Sequence, residues 1–196
     1  MPTGVAIRDP RGQLFEAAER VLLRAGPSGL TSRAVTAEAG VAKGVLHRHF
    51  ADFDAFLTEL ALDRATWMDG QAAALRAAAG SGTVAGNLAA ALAGLFSPVI
   101  LAFIRLAIIR DELRARLRAA TGSRFPFVSG STAMVADYLA AERDLGRVVA
   151  DADIAALAPT LIGALHLLFA ETDGTPEPAA VARTISTVLA AALRSP

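Results

Sequence analysis

The sequence predicts an all-α protein, and three observations support that fold class. Apolar residues recur at helical spacing in every long segment, giving about nine helices. No segment shows the sustained alternation of apolar and polar residues that a half-buried strand requires. Hydrophobic residues make up 54% of the 196 positions, and much of that share is alanine, the strongest helix former. A chain of this composition can build a sizeable helical core, which argues against disorder.

The first helix has clear signals at both ends. Asp9 can cap it, and Pro10 stands at the first helical position, where its missing N–H costs nothing. Apolar residues then recur at helical spacing from Leu14 to Ala25. The dipeptide Gly26-Pro27 should end this helix, because proline bars its continuation.

Two short helices follow the first. Thr31 is the expected N-cap of a helix over residues 32–39, which Gly40 ends. A third helix is predicted to begin near Lys43 and to end at residues 49–50. A short helix, a glycine-containing turn and a second short helix form a helix-turn-helix pattern. The spacing alone does not distinguish this motif from an ordinary helical hairpin.

The rest of the chain is predicted to be helical as well. Asp52 should cap a long fourth helix that the glycines at 80 and 82 end. Five more helices are predicted over residues 83–96, 98–118, 131–145, 153–169 and 176–193. Gly146 should follow one of them, whereas Asp153 and Thr175 are expected to cap the last two. Pro159 should kink its helix or mark its true start.

No membrane-spanning segment is predicted. Residues 88–104 carry no charge, but the stretch is shorter than the ~20 residues that a bilayer requires. It is also divided at Ser97-Pro98, so two buried helices explain it better. The N-terminus lacks the apolar run of a secretory signal, and cysteine is absent, which excludes disulfides and thiolate metal sites. The sequence thus favours a cytoplasmic protein.

Residues 30–57 read LTSRAVTAEAGVAKGVLHRHFADFDAFL. This segment resembles the DNA-binding head of the TetR family of transcriptional regulators, and the matching positions are Leu30, Thr31, Ala39, Gly40, Val41, Lys43, Gly44, Leu46, His49 and Phe50. The resemblance implies a helix-turn-helix DNA-binding domain at 1–51 and a helical ligand-binding and dimerisation domain at 52–196. It also implies a homodimeric, ligand-responsive regulator, most simply a repressor, on a near-palindromic operator in double-stranded DNA.

The chemistry of the segment suits contact with DNA. Lys43 is the only lysine among 19 basic residues, and it can neutralise a phosphate at the start of the third helix. Arg33 can read guanine, Val45 can touch a thymine methyl, and Gly44 allows close approach to the groove. The predicted DNA-binding residues are Thr31, Ser32, Arg33, Ala42, Lys43, Gly44, Val45, His47, Arg48 and His49. Leu46 and Phe50 are assigned to the core.

Three departures from the family pattern predict weakened contact with DNA. Ala42 stands where relatives have serine or threonine, so the third helix should lose a side-chain cap worth ~1 kcal/mol. His47 replaces a tyrosine, and Phe53 replaces a lysine that grips phosphate in relatives. Losing one phosphate contact should lower the salt dependence of binding by about one unit.

The body is assigned two further functions. Two apolar stripes on the last two helices are predicted to form the dimer interface: Ile154, Leu157, Leu161, Gly163, Leu165, Leu168, Val181, Ile185, Val188, Leu189 and Ala192. A pocket for a small, hydrophobic effector is predicted among Trp67, Phe96, Phe103, Phe125, Phe127, Tyr138 and His166. The alternative is that the stripes and aromatic residues face only this chain's own core.

An enzyme and a non-DNA-binding helical protein are the two alternatives to the regulator. An enzyme is disfavoured because no catalytic constellation can be assembled, and no cofactor is expected. A metal site is improbable because His47 and His49 point to different sides of a helix. A ligand-binding or interaction protein with a degenerate DNA-binding head remains the alternative, supported by Ala42 and Phe53.

Overall fold

A computed structural model describes residues 9–172 and 174–193 of the chain. Within these ranges the backbone forms ten helices: α1 Pro10–Gly29, α2 Ser32–Glu38, α3 Gly44–His49, α4 Phe53–Ala77, α5 Val84–Leu95, α6 Pro98–Ile109, α7 Asp111–Thr121, α8 Pro126–Asp144, α9 Ile154–Glu171 and α10 Pro178–Leu189. The described residues contain no strand, only an isolated bridge between Val148 and Leu193. The predicted all-α class is confirmed.

The chain divides into two compact units. Of the described residues, those within 9–63 and 102–124 form the first unit, and those within 64–101, 125–172 and 174–193 form the second. The helices α4 and α6 each contribute to both units, so the units do not follow a single cut in the sequence. These units do not test the domain boundary predicted after residue 51, which therefore stays a prediction.

Helix ends were predictable wherever a side chain or a glycine fixes them. The four predicted N-caps confirmed here each accept a hydrogen bond, at 2.7–3.1 Å, from the backbone N–H three residues later: Asp9, Thr31, Asp52 and Asp153. Gly26 leaves helical geometry with φ +67° ahead of Pro27, but the helix resumes and runs to Gly29, so Gly26-Pro27 forms a kink and not the predicted end. Thr175 was a wrong choice, because α10 begins at Pro178 after Glu177 and has no side-chain cap.

The helix predicted over residues 98–118 is in fact two helices. Arg110 interrupts it with an extended backbone, φ −117° and ψ 97°. Its guanidinium bonds to Asp54 at 2.8 and 3.0 Å, which fixes the residue at this break. Asp111 and Glu112 then lie in the first turn of α7, where negative charge is favourable. No glycine or proline marks this break, so periodicity alone could not reveal it.

An aromatic cluster forms the centre of the first unit's N-terminal part. Phe50 lies 5.9 Å from Phe15 and 5.0 Å from Phe56, measured between ring centroids, and Phe15 lies 5.6 Å from Phe56. Leu46, on α3, is fully buried. These contacts join α1 and α4 to the end of α3, which confirms the core assignment of Leu46 and Phe50.

The second unit contains a buried polar network that the sequence reasoning missed. Glu142, in the last turn of α8, is 0% exposed although it stands in the charged run Glu142-Arg143-Asp144. It accepts hydrogen bonds from the Tyr138 hydroxyl and from the backbone N–H of Gly80, the latter at 3.3 Å. Asn87 donates to the Tyr138 oxygen at 2.9 Å, and Arg147 pairs with Glu142 at 3.4 Å. The network therefore connects the turn between α4 and α5 to the end of α8.

Tyr138 should titrate well above an ordinary tyrosine. Burial, followed by the hydrogen bond to Glu142, raises its pKa to about 12. The unfolded chain loses this proton near pH 10, so folding should lose stability between about pH 10 and 12. Tyr138 is the single tyrosine of the chain, so the tyrosinate absorbance of the native protein reports this group alone.

Tyr138→Phe provides the control for this measurement. It should remove the tyrosinate signal and abolish the part of the alkaline destabilisation that the phenol causes. At neutral pH it should lower the free energy of unfolding by about 1–2 kcal/mol, because Asn87 and Glu142 lose a partner. A native midpoint near pH 10 would show that the hydroxyl is not held in this network.

Candidate nucleic-acid interface

The residues between α2 and α3 form a tight turn. Thr31 caps α2 by accepting a hydrogen bond from the N–H of Ala34 at 3.1 Å. Gly40 has φ +66°, a left-handed conformation that most side chains disfavour. The backbone N–H of Val41 then bonds to the carbonyl of Thr36 at 3.0 Å and closes the turn. The helix-turn-helix that the spacing predicted is present.

The predicted DNA-binding residues differ in exposure. Seven of them are exposed: Thr31, Arg33, Ala42, Lys43, Gly44, His47 and Arg48. Val45 and His49 are half-buried, and so is Ser32, whose hydroxyl oxygen is enclosed without a hydrogen-bond partner. Ser32 is thus less accessible to a phosphate than its place in the motif suggests. The other positions leave an outward surface free on α2 and α3.

The cations of residues 9–63 fall into two groups. Salt bridges neutralise one group: Arg11 pairs with Glu59, while Arg20 and Arg24 both pair with Glu38. In the other group the charged side chains have no hydrogen bond or ion pair with any described residue, and it consists of Arg33, Lys43 and Arg48. All three lie on α2 or at α3. Residues 9–63 are close to neutral in composition, but their unpaired cationic side chains all lie on the helix-turn-helix.

Ala42 has the local consequence that the sequence predicted. The short helix α3 has no side-chain cap at its start, and its N-cap position is Lys43. The backbone N–H of Val45 bonds instead to the carbonyl of Ala42 at 2.9 Å. An uncapped six-residue helix is unstable by itself. It therefore depends on the packing of Leu46 and Phe50.

Phe53, which stands in place of the lysine of relatives, stacks on Phe56 with centroids 5.6 Å apart. The Arg110 guanidinium lies 5.6 Å from the centroid of the Phe53 ring, within the range of a cation–π contact. A cation is therefore present at the start of α4, but it comes from the break between α6 and α7. Its pairing with Asp54 neutralises much of its charge.

A second ion pair fixes the start of α4 to α7. The Arg116 guanidinium donates to both carboxylate oxygens of Asp52, at 3.0 and 2.9 Å. The hydrogen bond from the N–H of Ala55, followed by that from Arg116, holds the pKa of Asp52 below its ordinary value. The partners lie 64 residues apart. Sequence reasoning identified Asp52 as a cap only, because nothing local indicates its distant partner.

Replacing Asp52 with asparagine isolates the charge in this pair, because asparagine also caps helices well. The pKa of Asp52 is lowered in the folded protein, so its stabilising effect is present above its unfolded pKa and is lost as pH falls. The melting temperature of Asp52→Asn should be lower than that of the unmodified protein at pH 7. The two should converge only in stronger acid, below the lowered pKa that Asp52 has in the folded protein.

The matched control is Asp63→Asn. Asp63 is exposed on the same helix and has no partner among the described residues, so its substitution should change the melting temperature little at either pH. An equal effect of both substitutions would show that the Arg116 pair contributes nothing specific.

The predicted dimer residues do not all face outward. Six of them are buried in the core of their own unit: Leu161, Leu165, Val181, Ile185, Leu189 and Ala192. A side chain that is buried there cannot contact a partner chain. These six residues therefore follow the alternative interpretation, in which the apolar stripes pack in this chain's own core. Ile154, Leu157, Leu168 and Val188 are half-buried, and Gly163 is exposed. The interface itself stays a prediction.

The predicted pocket residues also differ in their exposure to solvent. Phe103, Phe127 and Tyr138 are buried, whereas Trp67 is 42% exposed and His166 and Phe125 are half-buried. Phe103 belongs to the first unit and the other six to the second. Phe96 stacks on Phe169 at 4.9 Å, a ring that the sequence reasoning did not select.

One helix of the described residues passes a length and composition test for a membrane span. The helix α9 is long and apolar enough, and 33% of the tested window is buried. A core helix passes the same test, so this finding is weak evidence of a membrane.

Comparison with known proteins agrees with this architecture. Residues 14–60 match the family model described as "Bacterial regulatory proteins, tetR family". No curated protein matches the sequence. The matched segment contains the helix-turn-helix formed by α2 and α3. The similarity to that family is thus carried by the N-terminal segment, residues 14–60.

Several solved structures share the fold over nearly the whole chain. NemR from Escherichia coli, in reduced form, matches with TM-score 0.73 and 16% identity, over 96% of this chain and 99% of that one. A TetR-family regulator from Agrobacterium tumefaciens matches with TM-score 0.72 and 13% identity, over 94% and 98%. FadR from Bacillus subtilis, solved in complex with stearoyl-CoA, matches with TM-score 0.68 and 14% identity, over 92% and 98%.

Proposed function

We propose that this protein is a homodimeric, ligand-responsive repressor that binds a near-palindromic DNA operator in the cytoplasm. The observation that supports this most directly is the free positive charge of Arg33, Lys43 and Arg48. Phosphate contacts supply most of the affinity of a protein for DNA, and they require cations that are not already paired. The neutral overall charge of the chain is therefore compatible with DNA binding.

The individual roles follow from chemistry and exposure. Lys43 and Arg48 contact phosphates, and the Arg33 guanidinium pairs with O6 and N7 of a guanine. The hydroxyl of Thr31 accepts a hydrogen bond from Ala34 but can still donate its own proton to a phosphate. No other atom lies within 4 Å of the position that a Cβ on Gly44 would occupy. This open space lets DNA approach the backbone of α3 closely. His47 and Val45 contribute to the same surface.

Lys43→Ala provides the test of the DNA-binding role. If Lys43 contacts a phosphate, the substitution should weaken binding to a duplex from beside the protein's own gene by about tenfold or more at low salt. The slope of log affinity against log salt should fall by about one unit per protomer. Fluorescence anisotropy at several salt concentrations measures both quantities.

Arg76→Ala is the matched control for Lys43→Ala. Arg76 is an exposed cation in the last turn of α4 and has no partner among the described residues. The control should leave both the affinity and the slope unchanged. Equal losses in the two variants, or no duplex binding by the unmodified protein at low salt, would refute the repressor proposal.

The dimer proposal rests on the outward side of α9. Leu167 is 62% exposed there, and Gly163, one turn earlier, is exposed with open space around the position of a Cβ. A small residue and an apolar residue one turn apart allow a partner helix to approach closely and bury its surface. A two-fold dimer would also present two heads to the two halves of an operator.

Gly163→Arg tests this interface without disturbing the unit itself. Arginine fits the open space, so the variant should fold, but it would block a partner helix. We expect light scattering to show a shift from dimer to monomer, together with a loss of operator affinity. Gly70→Arg is the control, because Gly70 is also exposed, helical and surrounded by open space. A monomeric unmodified protein would contradict the proposal at once.

The effector is proposed to be small and hydrophobic. The bound acyl-CoA of FadR shows that this fold accepts an apolar chain in one relative. In this chain the apolar second unit places Phe96 against Phe169, and the half-exposed Trp67 lies close to Gly94. Trp67 is the single tryptophan, so its fluorescence should report an effector that binds near it. An effector that favours one spacing of the two heads would change operator affinity.

The alternative function is that of a helical ligand-binding or interaction protein whose head no longer binds DNA. The uncapped start of α3 and the pairing of the Arg110 charge favour this alternative. Binding to a small apolar ligand without any duplex binding at low salt would support it.

A further inference from the structure

An open depression of about 570 Å³ lies beside α7 in the first unit. It is lined by Asp111, Arg114, Ala115, Arg118, Ala119 and Arg124. None of these residues is in the set predicted to bind DNA or an effector. The volume falls within the range of small-molecule sites.

The geometry of α7 brings three arginines to one depression. Arg114 and Arg118 are one turn apart on the same face of the helix. Gly122 ends α7 in a left-handed conformation, φ +77°, and the chain turns there so that Arg124 lines the same depression. Ala115 and Ala119 are small, so a ligand can approach the helix surface between the guanidinium groups.

The guanidinium groups of the three arginines differ in whether they already have hydrogen-bond or ion-pair partners within the protein. Arg114 pairs with Asp111 and donates to the carbonyl of Ala107 at 2.8 Å. Arg118 and Arg124 are exposed, and their guanidinium groups have no hydrogen bond or ion pair with any described residue. The only carboxylate in the lining is that of Asp111, which Arg114 balances. The depression thus holds two uncompensated positive charges.

We propose that this depression binds a small anion that carries carboxylate or phosphate groups. Guanidinium groups bind both kinds of group through paired N–H donors, and Arg118 and Arg124 supply those donors. Asp111, at the edge, opposes a bound anion and limits its affinity. None of the residues that line this depression belongs to the predicted effector pocket. The anion-site proposal and the effector proposal can therefore be refuted separately.

Isothermal titration calorimetry of the full-length protein with pyrophosphate and with citrate, at fixed ionic strength, tests the site. We expect saturable binding of at least one probe. The double variant Arg118→Ala/Arg124→Ala should weaken it by about tenfold or more. The control Arg76→Ala/Arg183→Ala removes two other exposed, unpaired cations and should leave binding unchanged. Asp111→Asn should strengthen binding by removing the negative charge.

Several outcomes would overturn the proposal. One is the absence of saturable heat with either probe, and another is equal weakening by the two double variants. A phosphate of DNA could also occupy these arginines. If Arg118→Ala/Arg124→Ala weakens duplex binding and lowers its salt slope while pyrophosphate and citrate do not bind, the depression is a DNA contact. That result would overturn the assignment to a small anion and leave the proposed regulatory function standing.

Discussion

The packing of Phe50 against Phe15 and Phe56 is the contact on which the proposed DNA-binding surface depends. The helix α3 has six residues and no side-chain cap, so local interactions cannot maintain it. Its stability comes instead from Leu46, fully buried, and from Phe50, whose ring meets rings of α1 and α4. Those buried side chains hold the opposite, polar face of α3 at the surface. The aromatic cluster therefore determines where Lys43 and Arg48 are presented.

Electrostatic pairing then determines which charges remain available. A count of residues in the N-terminal segment gives no excess of cations, yet pairing is far from uniform. Glu38 pairs with both Arg20 and Arg24 on α1, and Arg20 also pairs with Glu16. Acids at the start of α4 pair with Arg110 and Arg116. These exposed pairs add little to stability. Their larger effect is to restrict free positive charge to α2 and α3 within residues 9–63, which makes a neutral protein locally suited to phosphate.

The sequence predicted the features that local chemistry controls. Caps such as Thr31 and Asp153, and glycines such as Gly40, act within a few residues and leave a readable signal. Features that depend on distant partners were not predictable. Arg110 breaks a helix through its bond to Asp54, and Glu142 is buried because Gly80, Tyr138 and Arg147 satisfy it. The helix-turn-helix was thus largely predictable, whereas the exposure of its residues and the faces of α9 were not.

The helix α9 shows why an apolar stripe does not by itself identify an interface. The stripe through Leu161 and Leu165 is the stronger sequence signal, and it packs in the unit's own core. The outward side is also apolar, but it is made of smaller or isolated groups such as Gly163 and Leu167. A soluble helix normally pairs one apolar face with a polar one. A helix that is apolar on both sides needs a second covering surface, and the proposed second copy of this chain would supply one with two-fold symmetry.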